Sequence, residues 1–201
     1  MKFKFAIALA FAVACAGTAF CDTINFSNPT GDLGHSHTYT SGSSSVTAYA
    51  FGFGKGGGSE HLFGKHDGGS ENGVGIAGQL DNEITESRFV ELDLSSITNP
   101  FSLTIGSTQK VEGFKVCFSN SLGTLGGSCQ DFVHPGSDPF TTSFFTLPAG
   151  DHFVSVTADN EDSNVLLDGL TTTATPEPNS LLLFGTGIIA AAGAVRRKLA
   201  A

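Results

Sequence analysis

The chain has 201 residues, with ten Lys and Arg against nineteen Asp and Glu, and it contains eighteen Phe, two Tyr and no Trp. Two of the basic residues lie at the N-terminus and three at the C-terminus, which leaves five against all nineteen acids, a formal −14, for everything between. That balance argues against nucleic acid and anionic membrane as partners of the middle of the chain, because phosphate binding needs clustered Lys and Arg; divalent cations, or a polyanion bridged by them, suit it better.

Lys2 and Lys4 precede an apolar, alanine-rich run from Ala6 to Ala14, and small residues continue to Ala19. A basic start, a short apolar core and a small-residue zone form a secretory signal peptide, too short for a stable bilayer span. Residues 1–21 are therefore expected to be signal, with Ala16, Ala19 and Cys21 each offering a cleavage position. Cutting after Cys21 leaves two cysteines, Cys117 and Cys129, in an oxidising compartment, where they are expected to pair. The segment between them, "CFSNSLGTLGGSC", reads as two strand ends joined by a Gly/Ser turn.

Residues 22–173 form one domain, large enough to bury a core. The stretch "RFVELDLSS" puts Val90, Leu92 and Leu94 on one face and Glu91 and Asp93 on the other. Phe101, Leu103 and Ile105 alternate in "FSLTIGS", as do Phe114, Val116 and Phe118 in "EGFKVCFSN". "HFVSVTADN" and "NVLLDGLTTT" supply two further strands. Period-two runs punctuated by Gly, Asn, Pro and Asp are the mark of half-buried antiparallel strands. They predict an all-β fold, an antiparallel sandwich of jelly-roll type with about ten strands.

Two acidic loops suit calcium, which takes six to eight hard oxygen ligands. One holds Glu71, Asn72, Asp81, Asn82 and Glu83, the other Asp159, Glu161 and Asp162. Neither follows EF-hand spacing, and solvated acidic loops are the plain alternative. His35 with His37, and His61 with His66, offer imidazole pairs in Gly/Ser-rich stretches that look poorly ordered, where surface polar residues are again the plain reading. No GxSxG, HExxH or P-loop pattern occurs, so the domain is expected to be non-catalytic, although Asp/Glu pairs leave a secreted hydrolase as an alternative. A polysaccharide-binding module is a further alternative, with Tyr39 and Tyr49 the only amphipathic aromatics to stack on sugars.

"TTTATPEPNS" has no helical or strand periodicity and reads as an extended spacer. Ser180 to Val195 carries no charge, and Arg196, Arg197 and Lys198 follow it. Its Leu, Ile and Phe residues cover a helix on all sides, so 180–195 is expected to cross the membrane with the basic stub 196–198 in the cytoplasm.

Pro176-Glu177-Pro178 (176–178), the apolar span and the Arg-rich stub together resemble the PEP-CTERM sorting signal of Gram-negative bacteria, here 174–201. The resemblance implies delivery by the general secretion machinery and retention in the inner membrane. It also implies cleavage near the PEP motif by exosortase, a membrane-embedded cysteine transpeptidase, and passage to the cell surface or exopolysaccharide matrix. Ser70 to Ile97 resembles a segment of small secreted domains that carry this tail, and "NVLLDGLTTT" resembles the closing strand of galactose-binding-type sandwiches. In some of those folds a late aspartate helps hold a structural Ca²⁺, which implies a place for Asp168 beside Glu71, Asp81 and Glu83. The expected whole is an exported surface or matrix protein with a structural or adhesive sandwich.

Overall fold

The computed structural model describes residues 21–42, 44–53, 58–109, 112–133, 135–173, 185–188 and 196. Asp22–Thr173 is one compact unit. Its strands are β1 (Thr23–Asn25), β2 (Gly31–Gly34), β3 (Ser36–Ser41), β4 (Ser44–Gly52), β5 (Leu62–His66), β6 (Asn72–Ile76) and β7 (Arg88–Asp93). Then come β8 (Phe101–Gly106), β9 (Phe114–Ser119), β10 (Ser128–Phe132), β11 (Phe140–Thr141), β12 (Phe153–Ala158) and β13 (Leu166–Thr172).

They form two antiparallel sheets. The first runs β11-β8-β13-β6-β5-β2, with β1 also paired to β13; the second runs β10-β9-β12-β7-β4-β3. The chain passes repeatedly from one sheet to the other, which laces them face to face.

The alternation read in the sequence sets the core. Across the second sheet Val116, Val156, Val90 and Ala50 stand in one row, and Phe118, Val154, Leu92 and Ala48 in another. The first sheet answers with Leu103, Ile105, Val74, Ile76, Leu167 and Leu170, all fully buried. Burial of such faces is the main favourable term in folding.

Two expectations need correction. The Gly/Ser-rich stretches around the two histidine pairs, which look poorly ordered, are built into strands β2 to β5: His35 joins β2 to β3, His37 lies in β3, and His66 ends β5. Small residues are tolerated in β4 because Ala48 and Ala50 face the core, while Tyr49 and Phe51 cover the outside. Glu91, placed by its alternation on a solvent face, does point away from the core but is fully buried. Of helix, the described part of the domain has a single 3-10 turn, Leu80–Asn82.

Residues 185–188 and Arg196 are helical. The signal region 1–20, the rest of the span 180–195, and Pro176, Glu177, Pro178, Arg197 and Lys198 lie outside the described residues. Among the described residues no helix is long and apolar enough to cross a membrane.

Candidate functional site

Two polar clusters sit on the outer faces of the sheets. On the first sheet, β5 presents Lys65 opposite Gly73 of β6. The segment after the 3-10 turn crosses over β6 at Gly75, where a Cβ would lie 2.1 Å from the Asn82 carbonyl, so only glycine admits this approach. That crossing brings Glu83 over Lys65. The Lys65 Nζ donates to Glu83 Oε1 at 2.7 Å and to Glu71 Oε2 at 2.6 Å. Ser107 Oγ donates to Glu71, and Asn164 Nδ2 donates to Glu83 Oε2 at 2.7 Å. A reciprocal backbone bridge between Ile84 and Val165 fixes the neighbouring Glu83 and Asn164.

The electrostatics follow from burial. The Glu83 side chain is 2% exposed, and desolvation pushes its carboxyl up to about 7 against the pull of Lys65. Burial works the same way on Glu71, but its hydrogen bonds, Lys65's foremost, override it and hold that carboxyl below its usual value. Burial works to lower Lys65, and the two carboxylates override it, so its ammonium is held above the ordinary lysine range. Beside Lys65 opens a cleft of about 520 Å³, lined by Thr30, Gly31, Phe63, His66, Asp81 and Asn82 among others.

On the second sheet one outward row reads Cys129, Cys117, Ser155, Glu91, Tyr49, Ser36. Cys117 and Cys129 are joined as a disulfide between directly opposed positions of β9 and β10. The loop it closes folds back over the sheet. There the Gly123 N–H donates to Glu91 Oε2 at 2.6 Å, and the Ser119 and Ser155 hydroxyls donate to Oε1. Desolvation raises the Glu91 carboxyl, and these donors offset part of the rise.

Next to Glu91 runs a strip of rings. Tyr49 and Phe51 stack at 23°, Phe51 stacks on its cross-strand partner Phe89 at 5.4 Å, and Phe53 leans on Phe89 at 5.3 Å. His35 meets Phe51 edge-on, while Phe53 and Leu122 are 41% and 47% exposed.

Of the four carboxylates expected to hold calcium, the structure brings Glu71 and Glu83 together, but around the Lys65 ammonium. Asp81 lines the cleft in a left-handed conformation, and Asp168 lies in a β13 bulge, its carboxyl raised by burial against the pull of His66. Asp159 Oδ1 accepts from Ser163 and Asn160, and Asn160 Oδ1 accepts from the Asp162 backbone N–H. His35 bonds the Glu60 carbonyl, His37 packs on Tyr39, and His61 pairs with Asp32. Among the described residues no group of three or more His, Cys, Asp or Glu is arranged to hold a metal ion.

Sequence reasoning missed Lys65, Asn164 and the buried role of Glu91. Glu83 links the first two, each through a different carboxyl oxygen, only because of a crossing of β6 that no local pattern announces.

Residues 174–198 match the family model of the PEP-CTERM protein-sorting motif. The chain ends in a PEP-CTERM sorting signal. A PEP-CTERM signal implies an exported protein, anchored in the membrane before processing, with exosortase as the processing partner. No curated protein matches the chain. Among solved structures, a family two carbohydrate esterase from Cellvibrio japonicus is similar at 15% identity with a TM-score of 0.34. That likeness covers 79% of this chain and 35% of the esterase, so the chain spans about a third of its length.

Proposed function

We propose that this PEP-CTERM protein is held in the inner membrane by its terminal span and cut by exosortase near Pro176-Glu177-Pro178. The released sandwich then serves a structural or adhesive, non-catalytic role at the cell surface or in the exopolysaccharide matrix. The terminal sorting motif carries this reading. Three features of the domain support it. Its polar clusters are bonded inward as cross-braces, a disulfide ties β9 to β10, and its acidic surface resists non-specific contact with nucleic acid and anionic lipid.

Retention tests the role. After mild shearing, the processed domain should remain with the washed matrix or cell surface. Recovery of essentially all of it in the medium, free of matrix, would contradict an adhesive or structural role.

The strip from Tyr49 to Phe53 favours a second reading, polysaccharide binding. The exposed Phe53 ring and the half-buried Tyr49 beside the hydroxyl-lined strands β3 and β4 offer aromatic surface of the kind on which neutral sugars stack. On a glycan array, Phe53→Ala with Tyr49→Ala should weaken saturable binding; an array with no bound sugar removes this reading. Calcium binding gains no comparable support, since Lys65 neutralises the two carboxylates that meet.

A further inference from the structure

We propose that Lys65 and Asn164 form an intramolecular amide cross-link, with Glu83 transferring the proton between them. The inference rests on one juxtaposition. A single buried carboxyl has one oxygen, Oε1, on the Lys65 amine nitrogen and the other, Oε2, on the Asn164 amide nitrogen, each at 2.7 Å. Those are the atom that would attack and the atom that would leave.

In the reaction the Lys65 Nζ attacks the Asn164 Cγ, forming a C–N bond. The bond from Cγ to Nδ2 breaks, and Nδ2 departs as ammonia. Glu83 takes a proton from Nζ through Oε1 and returns one to Nδ2 through Oε2, so it ends unchanged, as general acid–base catalysis requires. Neither redox change nor co-reactant is needed. Asn164 is the acyl donor rather than Glu71, because an ionised carboxylate is a poor electrophile while a neutral amide loses ammonia.

Three features of the site fit this chemistry. Glu83 is buried and its carboxyl is raised to about 7, so near neutral pH it both accepts and gives up a proton. The Ile84–Val165 bridge fixes the backbone beside Glu83 and Asn164, and the β5–β6 pairing fixes that of Lys65, which lowers the entropic part of the barrier. The cleft beside Lys65 gives ammonia a way out, which makes the step effectively irreversible.

The resting ammonium, held by two carboxylates, is the chief opposing effect. It slows the step without preventing it, since each molecule reacts once and a sparsely populated amine suffices. The bond would tie β5 to the entry of β13 across β6, bracing the first sheet as the disulfide braces the second.

Peptide mapping of the full chain, expressed with export and then reduced and digested with trypsin, tests this. The wild type should show no cleavage after Lys65. Its fragment from Gly56 to Arg88 should be joined to the fragment beginning at Val116, the pair lighter than their sum by one ammonia. Glu83→Gln and Asn164→Ala should each lose the joined species completely. Cleavage after Lys65 in the wild type, with the Asn164 fragment at its unmodified mass, would overturn the proposal. So would a joined species lighter by water, which places the bond on a carboxylate. The wild-type map decides by itself, so the outcome does not depend on whether a variant folds.

Discussion

The Gly123 backbone N–H donates to the Glu91 carboxylate at 2.6 Å across 32 residues of sequence, joining the centre of the second sheet to the loop between β9 and β10. Glu91 lies fully buried beneath that loop, and desolvation raises its carboxyl above the ordinary 4.5.

A pH dependence follows. A carboxyl raised in the fold holds its proton more tightly there than in the unfolded chain. Its contribution is full below about 4.5 and is lost as pH rises through the folded value. Glu83, Glu112 and Asp168 are all raised by burial and act in the same direction. Glu71 and Asp32 are lowered, so their contribution is lost only at more acid pH. The melting temperature should rise from pH 7.5 to 5, and Glu91→Gln should flatten the slope. A wild type that is steadily more stable towards pH 7.5 would contradict this.

The disulfide closes a loop with a sequence separation of 12, and its removal should cost roughly 3 kcal/mol through the regained freedom of the unfolded chain. For a domain of this size that is a fall of about 6–12 °C in melting temperature. Calorimetry of Cys117→Ser with Cys129→Ser, or of the reduced protein, checks it. A change under 1 °C would mean that the Glu91 contacts hold the loop without the bridge.

Tyr39 of β3 is buried with its ring edge-on to Phe26, and its hydroxyl has no hydrogen-bond partner among the described residues. An unsatisfied buried hydroxyl costs about 1–3 kcal/mol, so Tyr39→Phe should stabilise the domain by about 1 kcal/mol or more. Urea titration measures this. Destabilisation would mean the hydroxyl is satisfied after all.

Relative to the protein with a free Lys65 ammonium, Lys65→Met leaves Glu71 and Glu83 facing each other without a cation, and removing one partner of a buried ionic group costs about 3–5 kcal/mol. With Lys65 in place, millimolar calcium should leave the melting temperature unchanged, because the Lys65 nitrogen, as free ammonium or as the amide proposed above, stands where the ion would. In Lys65→Met, calcium should restore part of the lost stability. A wild-type rise of several degrees would return these carboxylates to a calcium role.

Legibility in the sequence tracked the range of the interactions. β7, β8, β9, β12 and β13 were readable because Val90 and Leu92, or Phe114 and Val116, alternate against polar neighbours within one strand. The sorting tail was readable because its proline pair, apolar run and basic stub follow one another directly. By contrast, β2 to β4 hid behind Gly and Ser, since Ala48 and Ala50 leave a weak periodic signal. Glu91 reads as a solvent-facing residue because the loop that buries it lies about thirty residues further on. The Lys65, Glu83 and Asn164 cluster joins three segments through Gly75, whose significance appears only when Asn82 is seen crossing it.

The central claim is that the terminal motif routes this domain through the membrane to the outside. Fractionation of an exosortase-containing Gram-negative host, followed by immunoblotting, tests it most directly when the wild type is compared with a chain carrying alanine at Pro176, Glu177 and Pro178. The wild type should appear as a full-length precursor in the inner membrane and a shorter form at the surface or in the matrix, while the variant stays full-length in the membrane. Full-length wild type free in the cytosol, or a variant shortened as readily as the wild type, would contradict the account.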